Sequence, residues 1–123
     1  MDKKQIGQLG EDIAVKYLIK KKYKILERNF SYKVRSLNLG EIDIIAKKGK
    51  TIVFVEVKTK TSNEQISPED KINLKKLKTI QDVGQIWLQK NKISPDTPWQ
   101  IDIVSIVLDF QKRMAKVTHF ENT

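Results

Sequence analysis

The chain has 123 residues, of which 39% are hydrophobic and 32% charged, and its formal net charge is +9. This composition is typical of a single basic folded domain, residues 1–123, and excludes a disordered chain. The sequence has no cysteine, which excludes disulfides and thiolate metal sites and fits a cytoplasmic location. With no run of about 18 apolar residues and no signal-peptide pattern, the sequence predicts no membrane span and no membrane partner.

The first half of the chain predicts one helix followed by three strands. Apolar residues recur at helical spacing in residues 3–22, and Tyr23–Phe30 follows as a strand. Residues 31–39 are polar and irregular, which is typical of a loop or of a hairpin extension. Next come Glu41–Ala46 and Thr51–Thr59, both rich in Ile and Val, which predict the two arms of a β-hairpin around a Lys-Lys-Gly-Lys turn.

The second half predicts a helix and two strands. Ser67-Pro68-Glu69-Asp70 has the features of a helix start, and the helix is expected to run to Lys90. Strands are expected at Trp99–Leu108 and at Met114–Phe120. The last strand is expected at a sheet edge, where it could pair with a second copy to form a homodimer. The order α-β-β-β-α-β-β predicts an α/β fold, a mixed β-sheet flanked by helices.

The hairpin carries ionisable residues on one predicted face. Side chains alternate along a strand, so Glu56 and Lys58 share a face with Phe54. If residues 46 and 51 face each other across the turn, Asp43 lies opposite Phe54. Asp43 and Glu56 are then diagonal neighbours, with Cα atoms about 7–8 Å apart. Burying two acids on so apolar a hairpin requires a partner or an ion.

Two interpretations of these three residues remain open. A hard cation such as Mg²⁺ takes oxygen ligands, usually carboxylates with water and substrate phosphate, and can activate a water for phosphodiester hydrolysis. A neighbouring lysine can orient that water or stabilise developing negative charge. In the alternative, Lys58 forms only a structural salt bridge with Asp43 or Glu56.

Two residues outside the hairpin, Glu11 and Lys76, also have two possible interpretations each. Glu11, at the border of the apolar face of the first helix, is either a further metal ligand, directly or through water, or a polar residue beside the core. Lys76 falls on the inward arc of the second helix, where it either reaches a phosphate or carboxylate or lies along the helix edge. Asp102 is expected to pair with a lysine, and no catalytic role is expected for His119.

The positive charge predicts a polyanionic partner, and nucleic acid is the first candidate. Lysine supplies most of that charge, with 21 lysines against three arginines. Lysine meets phosphate as a point charge and lacks the planar fork with which arginine reads a guanine edge. The composition therefore favours binding to the nucleic-acid backbone over sequence readout.

Five short motifs together resemble one bacterial family. They are Gly10-Glu11, Arg28-Asn29, GEIDIIA at 40–46, VFVEVKTK at 53–60 and IDIV at 101–104. In this order, and with a lysine in the second helix, they resemble the YraN-like family, which is assigned to the restriction-endonuclease-like, PD-(D/E)XK nuclease superfamily. The resemblance extends from Gly7 to about Asn122. It implies a restriction-endonuclease-like core.

The resemblance also implies roles for individual residues. Asp43, Glu56, Glu11 and the backbone carbonyl of Val57 would hold Mg²⁺ or Mn²⁺. Lys58 would position the attacking water, and Lys76 would steady the phosphate. Departures from the family pattern occur between Asn29 and Gly40, where the chain is longer, and at Gln100, where an arginine is common.

Three functions are consistent with these observations. The leading one is a Mg²⁺-dependent endonuclease or nucleic-acid-processing protein of low sequence specificity, with DNA as the expected partner. The first alternative is a nucleic-acid-binding protein that keeps the nuclease fold without catalysis. The second is a basic protein-interaction module in which the acids and Lys58 are a structural ion pair.

Overall fold

The structure is a computed structural model that describes residues 1–64 and 73–123. Its elements, in chain order, are α1 (Lys3–Lys20), β1 (Lys24–Val34), β2 (Leu37–Lys48), β3 (Thr51–Thr61), α2 (Leu74–Lys90), β4 (Trp99–Asp109) and β5 (Met114–Phe120). This order confirms the predicted α/β fold with two helices and five strands. The helix start predicted at Ser67 lies outside the described residues. At Leu74 the helix is capped by Asn73, whose side chain accepts a hydrogen bond from the Lys76 amide.

The five strands form one mixed sheet in the order β1-β2-β3-β4-β5. The β3–β4 pair is parallel, and every other neighbouring pair is antiparallel. A parallel pair needs a long crossover connection, and the segment between β3 and β4 contains α2. The antiparallel pairs have short turns. This topology leaves β1 and β5 at the two edges of the sheet.

Each helix covers one face of the sheet. Ala14 and Leu18 of α1 pack on a cluster that includes Val53 and Val55, whereas α2 packs on the opposite face. The α2 cluster contains Ile52, Phe54, Ile80, Val83, Trp87 and Ile101. Alternating residues of β3 therefore serve the two cores, as expected for a strand buried on both faces. Neither helix among the described residues is long and apolar enough to cross a lipid bilayer.

The helix α1 approaches β3 closely because residue 10 is a glycine. A Cβ atom at Gly10 would lie 2.0 Å from Oγ1 of Thr59. No side chain larger than hydrogen fits this contact without displacing the helix or the strand. The glycine of the Gly10-Glu11 motif thus fixes the distance between α1 and the sheet, and it places Glu11 beside the sheet.

The predicted register of the β2–β3 hairpin is wrong by two residues. Ala46 pairs with Val53, and not with Thr51, because the strands extend to Lys48 and Thr51 around the two-residue turn at 49–50. Gly49 adopts φ 60°, a left-handed conformation that suits glycine in such a turn. Since the error is an even number of residues, the predicted faces are unchanged.

The segment at 31–39, expected to be a loop or a hairpin extension, is an extension. Strands β1 and β2 stay paired as far as Val34 and Leu37, with the turn at residues 35–36. Strand β3 pairs with β2 only from Ile44 to Lys48. Among the described residues, the outer part of β1 and β2 is therefore a two-stranded ribbon.

Candidate metal centre

Asp43 lies at the point where β2 separates from β3. The ladder between these strands ends at Ile44 and Val55, so Asp43 is the next residue of β2 and Glu56 the facing residue of β3. Beyond this point the backbone of β2 no longer pairs with β3. Oδ2 of Asp43 instead accepts a hydrogen bond from the Val57 amide, at 2.8 Å. The carboxylate thus replaces the missing backbone acceptor, which fixes its position.

Asp43 and Glu56 are two acids that lie close enough for their charges to interact. Burial, the charge of Glu56 and a hydrogen bond with the Glu56 side chain raise the pKa of Asp43 to about 7. The Val57 amide and the charge of Lys76 act in the opposite direction. The pKa of Asp43 is raised because two adjacent negative charges repel each other in a partly dry site. A bound cation would relieve the same repulsion.

Glu56 has an oxygen that the protein leaves without a hydrogen bond. Oε2 of Glu56 is buried and has no hydrogen-bond partner among the described residues. Nζ of Lys76 is 3.5 Å away, which is an ion pair without hydrogen-bond geometry. Buried carboxylate oxygens are normally satisfied, so this oxygen is available to an additional ligand. The donor set, two carboxylates with one free buried oxygen, fits a hard divalent cation.

The two site lysines have different environments. Lys76 reaches Glu56, although its side chain remains 44% exposed. Lys58 is half-buried and follows Glu56 on the same face of β3. No hydrogen bond or ion pair involves its side chain within residues 1–64 and 73–123. The structural ion pair proposed for Lys58 is therefore absent from the described structure, and the lysine that pairs with an acid is Lys76.

Val57 was predicted to contribute its backbone carbonyl. The hydrogen bond that the structure shows at this residue is the one from its amide to Asp43. In a strand, the amide N–H and the carbonyl of one residue point to the same side. This is why a residue of an antiparallel pair can both donate to and accept from the same partner residue. The carbonyl of Val57 is therefore directed towards the Asp43 side of β3, which is compatible with the predicted role.

Glu11 is hydrogen-bonded to two side chains of β1, a contact that the sequence did not predict. Oε1 of the buried Glu11 accepts hydrogen bonds from Nε of Arg28 at 2.9 Å and from Nδ2 of Asn29 at 3.1 Å. Arg28 also binds Asp12 at 2.8 Å. Asn29 lies between two β1 residues that pair with Ile44 and Ile42, so it faces Asp43 across the strands. The Arg28-Asn29 motif marked these two residues in the sequence. Only the tertiary structure shows that they bind Glu11 of α1.

Glu11 does not form a compact triad with the other acids. Within the described ranges, a single group of acid and histidine side chains has ligand atoms all within 4.8 Å of one another, and it is Asp102, His119 and Glu121. The carboxylates of Glu11, Asp43 and Glu56 are therefore more widely spaced. The structure brings Asp43 and Glu56 together and leaves Glu11 engaged with Arg28.

The expected pairing of Asp102 with a lysine is wrong. Asp102 is fully buried, and its carboxylate accepts four hydrogen bonds. The donors are Nε2 of His119, the Tyr23 hydroxyl, Nε2 of Gln100 and the Asn122 amide. Four bonds fill the acceptor capacity of a carboxylate, so this cluster joins β4 to the C-terminal segment and leaves no oxygen for a metal.

Comparison with known proteins identifies the family. The family model described as "Uncharacterised protein family UPF0102" matches residues 10–106, a range that contains the whole candidate site. The chain belongs to this family. The UPF0102 protein of Alkaliphilus oremlandii is 44% identical over 119 residues, 97% of each chain. That of Geobacter metallireducens is 41% identical over 97% of this chain and 91% of the relative. The predicted YraN-like membership is thus confirmed.

One solved structure is similar at a lower level. The crystal structure of a fdxN element excision controlling factor protein from Anabaena variabilis aligns with a TM-score of 0.44 and 12% sequence identity. The alignment covers 94% of this chain and 99% of that protein.

Proposed function

We propose that this UPF0102 protein is a divalent-metal-dependent nuclease that hydrolyses phosphodiester bonds in DNA with low sequence specificity. The observation that carries the proposal is the Asp43–Glu56 pair, in which two carboxyl groups lie at facing positions of β2 and β3 and one buried oxygen has no hydrogen bond within the described residues. The sequence resemblance to PD-(D/E)XK nucleases supports the same assignment.

Asp43 and Glu56 are the residues that would hold Mg²⁺ or Mn²⁺, with the Val57 carbonyl on the same side of β3. When bound, the cation would lower the pKa of a water and neutralise charge on the phosphate. Glu11 would act through a water, because Arg28 and Asn29 already bind one of its oxygens. Both acids would bind the cation as carboxylates, since a metal ligand must be deprotonated.

The lysines supply the positive charge that the reaction needs. Lys58, which has no partner in the described structure, can orient a water or stabilise the negative charge that develops on the phosphate. Lys76 can leave Glu56 for a substrate oxygen, because its half-exposed ammonium is 3.5 Å from the carboxylate and makes no hydrogen bond to it. Both lysines would thus help to hold the phosphate in position.

The charge of the chain supports a nucleic-acid substrate. The net charge of +9 comes almost wholly from lysine, which binds phosphates without reading bases. Binding to DNA is therefore expected to weaken steeply with salt, because each phosphate contact releases condensed counterions.

Cleavage assays with single-stranded, duplex and branched DNA test the proposal. Wild type is expected to cut at least one of these substrates in Mg²⁺ and not in EDTA. Glu56→Gln should lose at least about a hundredfold in rate, since it removes a charged ligand. Glu41→Gln makes the same change at an exposed position of β2 and should retain the wild-type rate.

Two outcomes would contradict the proposal. If Glu56→Gln cuts as fast as Glu41→Gln, the activity comes from another site or from a contaminant. If no substrate is cut while salt-sensitive binding to DNA persists, the chain is a nucleic-acid-binding protein that keeps the fold without catalysis.

A further inference from the structure

The outer part of the β1–β2 ribbon combines exposed apolar and cationic side chains. We define the ribbon tip as residues 33–39, and all seven of these residues are exposed. Val34 and Leu37 are 44% and 64% exposed, and they face each other as a cross-strand pair. Leu39 is 41% exposed. Exposed apolar side chains grouped at the end of a hairpin mark an interaction surface more often than scattered ones do.

The charge of the ribbon tip has one sign. Lys33 and Arg35 lie within it, and its sequence contains no acid. Neither side chain has an ion-pair partner in the described parts of the chain. Arg35 is one of three arginines, and Arg28 is already bound to two acids. A cationic surface without acids is complementary to a polyanion.

The ribbon is a direct continuation of the candidate metal centre. Six residues of β2 separate Leu37 from Asp43, a distance of at most about 20 Å at the rise of an extended strand. This is the length of about six base pairs of DNA. The base of the ribbon is fixed, because a Cβ atom at Gly40 would lie 2.5 Å from the Thr79 side chain of α2. The ribbon tip is thus held at a defined distance from the acids.

From these features we propose that the ribbon tip enters the major groove of duplex DNA beside the cleavage site. This inference rests on the proposed function and names its substrate class. A two-stranded β-ribbon fits the major groove of B-form DNA, whereas the major groove of A-form RNA is too narrow for protein side chains. Lys33 and Arg35 contact the flanking phosphates, and Val34 and Leu37 contact base edges such as the thymine methyl group.

Binding measured without any divalent cation tests the ribbon separately from catalysis. Fluorescence anisotropy with a labelled 24-base-pair duplex and a 24-nucleotide single strand gives the dissociation constants at several salt concentrations. A double variant, Lys33→Ala with Arg35→Asn, should raise the duplex Kd about tenfold and reduce the salt slope by about 2. The control is Arg113→Asn, a change at an exposed arginine in the β4–β5 turn that shares the left-handed backbone of Arg35.

The apolar pair has its own variant and control. Val34→Ser with Leu37→Ser should raise the Kd for duplex DNA at least about threefold and leave the Kd for single-stranded DNA unchanged, because only the duplex offers a groove. Ile19→Ser removes an exposed apolar side chain from α1 and should leave both constants unchanged. All of these positions are exposed, so the melting temperatures are expected to stay within about 3 °C.

The outcomes separate the two proposals. If the ribbon variants bind duplex DNA as tightly as their controls, the ribbon proposal is wrong, whether or not the protein cuts DNA. It is also wrong if the apolar variant changes the oligomeric state in sedimentation and leaves DNA binding intact, which would identify a second copy as the occupant. If wild type binds DNA through the ribbon tip but cuts no DNA in Mg²⁺, the proposed nuclease function is wrong and the proposed DNA contact of the ribbon tip is retained.

Discussion

The raised pKa of Asp43 should make the stability of the fold depend on pH. The pKa of Asp43 is about 7 in the folded protein against an ordinary value of 3.8. The folded state therefore binds the proton of Asp43 more tightly than the unfolded state does. Its stabilising contribution is complete below about pH 4 and is lost as the pH rises through about 7.

The structure gives the magnitude of this effect. A difference of about three pKa units corresponds to roughly 4 kcal/mol, at about 1.4 kcal/mol per unit. Asp43 is only partly buried, and solvent screening reduces that value, so we expect a loss of about 2–4 kcal/mol between pH 4 and pH 8. For a domain of this size, that is a fall in Tm on the order of 10 °C.

Urea unfolding of wild type and Asp43→Asn at pH 5 and pH 8.5 measures the effect. The amide of asparagine keeps an oxygen for the Val57 amide and a donor for Glu56, but it does not titrate. The free energy of unfolding of the variant relative to wild type should therefore rise by about 1–3 kcal/mol from pH 5 to pH 8.5, because part of the effect is already lost by pH 5. Asp96→Asn, at an exposed position, should show no such change.

A second arm of the experiment adds Mg²⁺ at pH 8.5. Wild type should gain stability with increasing Mg²⁺, because a ligand that binds only the folded state stabilises it by mass action. Asp43→Asn should gain less, since it has lost a charged ligand. If the difference between wild type and Asp43→Asn is the same at both pH values, the pKa of Asp43 is not raised in the folded protein and the reasoning fails.

Two further predictions concern the scaffold. Gly10→Ala should destabilise the fold by about 1–3 kcal/mol, because its Cβ would lie 2.0 Å from Thr59. Gly7→Ala, where no described residue lies within 4 Å of the added Cβ, should instead stabilise by up to about 1 kcal/mol; equal effects of the two changes in urea unfolding would contradict the packing argument. Asp102→Ala should destabilise by at least about 3 kcal/mol, since it removes the fully buried acceptor of four hydrogen bonds, and a smaller loss in the same measurement would show that water replaces the carboxylate.

The strand faces were predictable because they depend only on the two-residue period of a strand. The alternation along 51–59 placed Glu56 and Lys58 on one face, and a two-residue error in register left this assignment unchanged. The register itself was not predictable in this way, because a Lys-Lys-Gly-Lys sequence accommodates turns of several lengths. The polar segment at 31–39 has neither clear alternation nor a turn signal such as Asn-Gly, so its strands appear only in the structure.

The partners of buried charges depended on contacts distant in sequence. Asp102 was expected to pair with one of 21 lysines, but none of the lysines in residues 1–64 and 73–123 is buried, because their charges stay hydrated. Its partner is His119, brought alongside because β5 pairs with β4. In the same way, Arg28 of β1 binds Glu11 only because α1 packs close to the sheet at Gly10.

The sequence by itself determined the family, the order of the elements and which strand face carries the acidic residues. Motifs and periodicity are local properties of the chain. The tertiary structure decided that Asp43 faces Glu56 directly and that the β1–β2 ribbon continues past the candidate metal centre. It also decided that, in the part of the chain that the structure describes, Lys76 and not Lys58 pairs with an acid. These facts depend on strand register and on helix packing. Strand register and helix packing depend on interactions throughout the fold, and no short segment determines them alone.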